Sequence, residues 1–200
     1  MKHLHLIRHG QISSNVTGAL DTAIPGPSLT PTGRDQALAL VENFSHVKLD
    51  SVWASTALRT QQTAAPLAQS KGLEINVLDG FREISAGDLE MSTKPADRAA
   101  YQSTITRWIL GDLDVRLANG TNGHEVLERF MAALDEVSAT GAENVAVVAH
   151  GALISLWSGV QCKNLTEELF ARHPVVNTGI VSMEPTGSGW LATSWMGVAL

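Results

Sequence analysis

Short apolar runs alternate along the chain with longer stretches whose apolar positions recur at helical spacing. The first run, Leu4-His5-Leu6-Ile7, predicts a strand over residues 3–8. Residues 11–29 are polar and punctuated by Gly18, Pro25, Gly26 and Pro27, which predicts a loop. Thr30-Pro31 has the form of an N-cap followed by proline at the first helical position. The helix it opens runs to about Ser45, with Ala37, Leu40, Val41 and Phe44 on one face. Ser51–Ala54 predicts a short strand. Ala57–Lys71 predicts a second helix, kinked or interrupted by Pro66 and ended by Gly72. Glu74–Leu78 predicts a third strand, and residues 80–120 read as a less regular helical insertion. His124–Thr140 carries an apolar stripe of Val126, Leu127, Phe130, Leu134 and Val137. Asn144–Ala149 is apolar throughout, as strands covered on both faces of a parallel sheet are. A helix begins at Gly151–Ser158, a shorter one covers Leu165–Arg172, and Val175–Met183 and Trp190–Trp195 predict two last strands.

Strands that alternate with helices predict an α/β fold. The expected architecture is a three-layer α/β/α sandwich with a mostly parallel central sheet and a small helical insertion over the active face. The 200 residues suit a single domain, with the cap-like insertion at about 84–123. Hydrophobic residues make up 44% and charged residues 17%, enough apolar material for a large core. A net charge of −6 argues against nucleic acid as a partner, since nucleic-acid binders are usually basic. It also requires any anion site to be a local concentration of positive charge. The single cysteine, Cys162, excludes an internal disulfide and a cysteine-based zinc cluster, and fits a reducing, cytoplasmic setting. No apolar run approaches membrane-spanning length, and the stretch after Met1-Lys2-His3 is too short for a signal peptide. Aromatic residues near Trp190 and Trp195, if exposed, would suit a homodimer.

The candidate chemistry collects at the C-terminal ends of predicted strands, where open α/β sheets bind ligands. Arg8-His9-Gly10 follows the first, Ser55 and Arg59 the second, Glu83 the third and His150 the fourth. An arginine can grip a phosphate with two hydrogen bonds, a histidine can act as a nucleophile, and a glycine lets backbone and ligand approach closely. Two arginines and two histidines together imply an anion, most simply a phosphoryl group. Arg59 lies about one turn into its helix, and the Gly151 amide opens another, so helix dipoles add to the positive charge.

These residues, in this order, resemble the histidine phosphatase superfamily, which includes the cofactor-dependent phosphoglycerate mutases. The likeness is carried by Arg8-His9-Gly10 with Asn15, by Ser28-Leu29-Thr30 with Gly33 and Gln36-Ala37, and by Ser55, Arg59 and Gln62-Thr63-Ala64. Phe81-Arg82-Glu83 with Gly87-Asp88-Leu89-Glu90, Ala149-His150-Gly151 and Asn177-Thr178-Gly179 complete it. The resemblance implies that neutral His9 attacks phosphorus, forming a phosphohistidine that water then hydrolyses. A carbonyl acceptor would fix its tautomer, and Arg8 and Arg59 would disfavour its protonation. It also implies that Arg8, Arg59 and His150 hold the phosphoryl oxygens, with Asn15 in the pocket. Glu83 is the implied general acid, with Asp88 and Glu90 as rivals. No metal or other cofactor is implied.

Gln11, His124, Gly151 and Thr178 are further candidates for contact with substrate, although His124 could simply begin its helix and Thr178 could support His150. Ser55 is expected to order the turn before Arg59. His3 and His5 share one strand face, as packing residues or as a metal pair. The chain departs from the family's usual pattern at Gln11, Ile12, Leu89 and Met91. Ile84-Ser85-Ala86 stands where the mutases have an Arg and a Tyr, which favours a phosphatase of a small phosphorylated metabolite over a mutase. A non-catalytic phosphate-binding module on the same fold is the third alternative. Lys94, Arg98, Tyr101, Arg107, Trp108 and Arg116 are the residues from which contacts to the leaving group would be drawn.

Overall fold

Three neighbouring strands, β1 (His3–Arg8), β2 (Ser51–Ala54) and β4 (Asn144–Ala149), send alternate side chains to opposite faces of one sheet. Leu4, Leu6, Trp53, Val145, Val147 and Ala149 enter one core, while Ile7, Val52, Ala54, Ala146 and Val148 enter another. Helices α2 (Pro31–Asn43) and α3 (Leu58–Lys71) cover the second face, through Leu40, Ala64, Leu67 and Ala68. Helices α4 (Pro95–Ile109), α5 (Gly123–Ala139) and α6 (Gly151–Gln161) cover the first, through Trp108, Phe130 and Trp157 among others. The result is the expected three-layer α/β/α sandwich. This computed structural model describes residues 1–117 and 119–200.

The remaining elements are α1 (Ser13–Thr17), β3 (Ile75–Val77), α7 (Glu167–Arg172), β5 (Ile180–Thr186), β6 (Gly189–Trp195) and β7 (Val198–Ala199). The sheet order is β3-β2-β4-β1-β5-β6-β7. The four strands from β3 to β1 are parallel, and β5, β6 and β7 continue the sheet antiparallel. The change of direction suits a chain that returns through the two-residue turn Gly187-Ser188, which only antiparallel neighbours can use.

Thr30 caps α2 as its sequence predicts, its side chain accepting from the Gly33 amide, with Pro31 at the first turn. Three features differ from expectation. The polar segment 11–29 contains α1, held by a bond from the Ile12 amide to Asn15 Oδ1 and ended by Gly18 in the left-handed region. Helix α3 runs through Pro66 without a break, because its neighbours Ala64, Leu67 and Ala68 are buried against the sheet. The aromatic residues near the end are not exposed as a patch. Trp195 and Trp157 are wholly buried, and Trp190 packs edge-on against Trp157 with ring centroids 5.4 Å apart. The feature that suggested a homodimer is therefore internal packing. Among the described residues, no helix is long and apolar enough to cross a membrane.

His3 and His5 have separate partners. His3 faces Glu184 at 3.2 Å, and His5 lies 2.8 Å from the Ser182 hydroxyl and edge-on to Phe44. Burial, and then the nearby His3, lower the pKa of His5 to about 4. The unfolded chain binds a proton there near pH 6.5, while the folded chain resists until about pH 4. Stability contributed at high pH is thus lost as pH falls across that window. Melting temperature should decline from pH 6.5 towards 4, and His5→Gln should flatten part of the decline; an unchanged slope in thermal scans would disprove the assignment.

Candidate active site

The parallel register sets the site. Arg8 lies beside Ala149, and Ala54 lies beside Val148, so His9, His150 and Ser55 emerge from adjacent strands at the same sheet edge. The loop after β1 can turn there because Gly10 packs against Gly33 in the first turn of α2. A Cβ on Gly10 would stand 2.6 Å from the Gly33 carbonyl oxygen. This glycine thus serves a close approach of backbone to backbone; the ligand-side role expected for it is not what the structure shows.

His9 is 4% exposed, and its Nδ1 lies 2.8 Å from the Gly10 carbonyl oxygen. Since a carbonyl can only accept, Nδ1 carries the proton and Nε2 keeps its lone pair. Burial lowers the pKa of His9 well below the ordinary histidine value, and Arg59 and Arg8 push it the same way.

Arg59 is buried and Arg8 half-buried, and both have donors to spare. Arg8 donates from Nη1 to the Val175 carbonyl at 2.7 Å, and Arg59 from Nη2 to the Asp21 carbonyl at 3.3 Å. Among the described residues, Arg8 Nε, Arg59 Nε and Arg59 Nη1 have no partner. Gly151 makes room for Arg8, since a Cβ there would meet its Nε at 3.2 Å. Burial is the main influence on both guanidinium groups and lowers their pKa, while Glu83 opposes it.

His150 is wholly buried behind His9, with ring centroids 5.3 Å apart. Its Nε2 is 2.8 Å from the Ser55 hydroxyl, and its Nδ1 has no partner. Ser55 also accepts from the Ala57 amide at 3.2 Å and sits 2.9 Å from Thr60 Oγ1. Ser55 thus orders the turn before Arg59, as expected, and in addition holds His150. Burial, followed by Arg59, lowers the pKa of His150 well below the ordinary value.

Glu83 reaches the start of α6. Its Oε1 accepts from the Ile84 and Leu153 amides at 2.9 and 3.0 Å, and its Oε2 from the Ala152 amide at 3.2 Å. The rival carboxyls are engaged elsewhere. Asp88 accepts from the Asn119 side chain at 2.8 Å on the exposed surface, and Glu90 accepts from the Thr22 and Ala23 amides and the Thr22 hydroxyl. Asn15 accepts from Asn177 Nδ2 at 3.1 Å, and the same Asn177 group reaches the His9 carbonyl at 2.9 Å.

A cavity of about 600 Å³ opens over these groups, lined by Arg8, His9, Asn15, Arg59, Glu83 and Gly151 among others. Neither Asp88 nor Glu90 lines it. Four expected contacts are also absent from its walls, His150 among them because it is wholly buried. Gln11 bonds to Gln36 and Thr30 at the head of α2. His124 is 59% exposed and faces Asp114 at 3.4 Å. Thr178 turns its hydroxyl to the Asn177 carbonyl, while its amide secures the Arg8 carbonyl at the end of β1. From the insertion, Arg98 and Tyr101 line the cavity. Arg107 and Arg116 are ion-paired with Asp112 and Glu125, and Trp108 is core.

Two contributors escaped the sequence reading. Arg129 on α5 donates to the Asp79, Gly80 and Arg82 carbonyls at 3.3, 2.9 and 2.8 Å, which pins the turn leading to Glu83. Its only signal was a cation beside Phe130 in an otherwise apolar stripe. Helix α7 and residues Pro174-Val175 form the far wall of the cavity. Nothing in their spacing set them apart from an ordinary surface helix and loop.

Comparison with known proteins agrees with this geometry. The chain is 33% identical, over 98% of its length, to the PE-PGRS family protein PE_PGRS11 of Mycobacterium tuberculosis, and spans 36% of that longer protein. It is 28% identical, over 82% of its length and 83% of the relative's, to the putative phosphoserine phosphatase 2 of Hydrogenobacter thermophilus. Its fold superposes with a TM-score of 0.79 on a mycobacterial glucosyl-3-phosphoglycerate phosphatase in complex with VO3, at 24% identity and covering 98% and 99% of the two chains. The sequence profile of the histidine phosphatase superfamily (branch 1) matches residues 4–196, and the chain belongs to that superfamily.

Proposed function

We propose that the chain is a phosphomonoesterase that hydrolyses a small phosphorylated metabolite through a phosphohistidine on His9, without a metal. One observation carries the reading: four buried nitrogens on Arg8, Arg59 and His150, beside a neutral His9, lack a partner among the described residues. They are Arg8 Nε, Arg59 Nε, Arg59 Nη1 and His150 Nδ1. Buried polar atoms are normally hydrogen-bonded, and an oxyanion supplies the missing acceptors. Two tautomers of His150 satisfy the Ser55 bond, but only the one with its proton on Nδ1 offers a donor to an anion. In that state Ser55 donates to Nε2 and acts as a positioning residue.

The reaction proceeds in two displacements. The Nε2 lone pair of His9 forms the bond to phosphorus as the ester P–O bond breaks, and the departing oxygen takes a proton from Glu83. Oε2 of Glu83 accepts a single main-chain bond, which leaves it a position for that proton. Water then attacks the phosphohistidine, giving a proton to Glu83, and the P–N electron pair returns to Nε2. The cations stabilise the charge on the non-bridging oxygens in both steps. Residues 84–123 act as a cap that supplies one wall of the cavity. Of Ile84-Ser85-Ala86, which stand where the mutases have an Arg and a Tyr, Ile84 and Ala86 are buried in the core, and the exposed Ser85 is no cation for a sugar acid.

His9→Ala should abolish hydrolysis of an aryl phosphate in excess chelator, a loss of at least ~10³-fold. Full activity in that variant, or loss of wild-type activity in chelator, would refute the reading. Glu83→Gln should slow alkyl phosphates by about 10²–10⁴-fold and p-nitrophenyl phosphate far less, because nitrophenolate needs little help from an acid; equal losses would exclude Glu83 as the acid. Because the pKa of His9 lies well below 6.5, its reactive neutral form persists as pH falls through that value. The acid limb of kcat/KM should therefore lie well below pH 6.5, and a limb centred there would count against a neutral, buried nucleophile. Ser55→Ala should weaken vanadate inhibition roughly 5- to 100-fold, the cost of an unsatisfied buried imidazole, with Ser55→Thr restoring part of it.

A further inference from the structure

The phosphoryl-binding groups occupy only the strand-end floor of the cavity. Part of the remaining lining is of a different character. It is built from the C-terminal end of α4 and from α7 with the residues after it, where Ile109, Leu110, Phe170, Pro174 and Val175 line the cavity together with Thr106 and Glu167. Gly159 on α6 lets this wall come together, since a Cβ there would stand 2.9 Å from Ile109 and 3.4 Å from Phe170. Phe170 in turn rests edge-on against Trp195, with centroids 4.6 Å apart, so the wall is braced by the core. Leu110 is 63% exposed, an apolar side chain that a ligand in the cavity could cover.

Arg98, Gln102 and Ser155 elsewhere in the lining can meet polar groups of a ligand, whereas the side chains of Ile109, Leu110, Phe170, Pro174 and Val175 cannot. A cavity of about 600 Å³ is also far larger than a phosphoryl group with a three-carbon alcohol requires. We infer that this wall is a leaving-group subsite for the apolar part, aryl or branched alkyl, of a bulky alcohol presented as its phosphate monoester. The inference rests on the phosphomonoesterase reading for what happens to the ester, but binding at the wall can be measured without turnover.

The test is competitive binding of three non-hydrolysable phosphonates to the full chain by calorimetry: naphthylmethylphosphonate, methylphosphonate and the phosphonate isostere of phosphoserine. The naphthyl compound should bind at least about tenfold more tightly than either of the others, in line with the apolar area it covers. Leu110→Asp and Phe170→Ala should each cut that advantage about fivefold or more. Phe170→Ala could loosen α7 against Trp195, whereas Leu110 is exposed and its substitution leaves the core intact, so the two variants check each other. Equal affinity for the three phosphonates, or an advantage that survives Leu110→Asp, overturns the subsite. A naphthyl advantage in a protein that turns over no ester upholds the subsite and overturns the phosphomonoesterase reading alone.

Discussion

Two guanidinium groups, one buried and one half-buried, and two buried imidazoles meet at one edge of the sheet with four nitrogens unpaired among the described residues, and the rest of the molecule is organised to keep them there. Such an arrangement is unfavourable in isolation, because each desolvated donor without a partner costs on the order of 1–3 kcal/mol. Its stability is borrowed from elsewhere. Strand β4, with Val145, Ala146, Val147, Val148 and Ala149 all wholly buried, and the two apolar cores on either side of it hold the strand ends in register. The exposed edges and the ion-paired surface arginines could change considerably without disturbing this frame.

The site is built in layers. Side chains that would face a phosphoryl group are each fixed by a second group that does not: His9 by the Gly10 carbonyl, Arg8 by Val175, His150 by Ser55, Glu83 by the first amides of α6. Arg129 adds a third layer, tying three carbonyls of the turn that precedes Glu83. Rigidity in the outer layers is what allows the inner donors to stay aimed without a ligand.

Much of the fold was legible because its signals are local. The Thr30-Pro31 cap, the Gly72 stop and the apolar run Asn144–Ala149 each report their own element. The candidate site residues were legible for a related reason: each follows a strand, and strand ends in a parallel sheet converge. What the sequence hid depends on long-range packing. Helix α1 lacks an apolar period over its five residues. Arg129 is separated by about fifty positions from the carbonyls it binds, and His124 and Thr178 sit near the site in sequence but turn to local partners. The wall of Ile109, Leu110 and Phe170 comes from two helices that meet across Gly159 of α6, so neither carries a mark of its own.

The bond between the His9 ring and the carbonyl of the very next residue has an implication for how this site can evolve. An acceptor supplied by a side chain can be lost in one substitution, and the ring's protonation pattern lost with it. Here the acceptor is main chain, carried by a glycine that its contact with Gly33 already holds in place. The inheritance of an unprotonated Nε2 on His9 is therefore secured by the path of the backbone, and drift can rework the cavity walls without touching it.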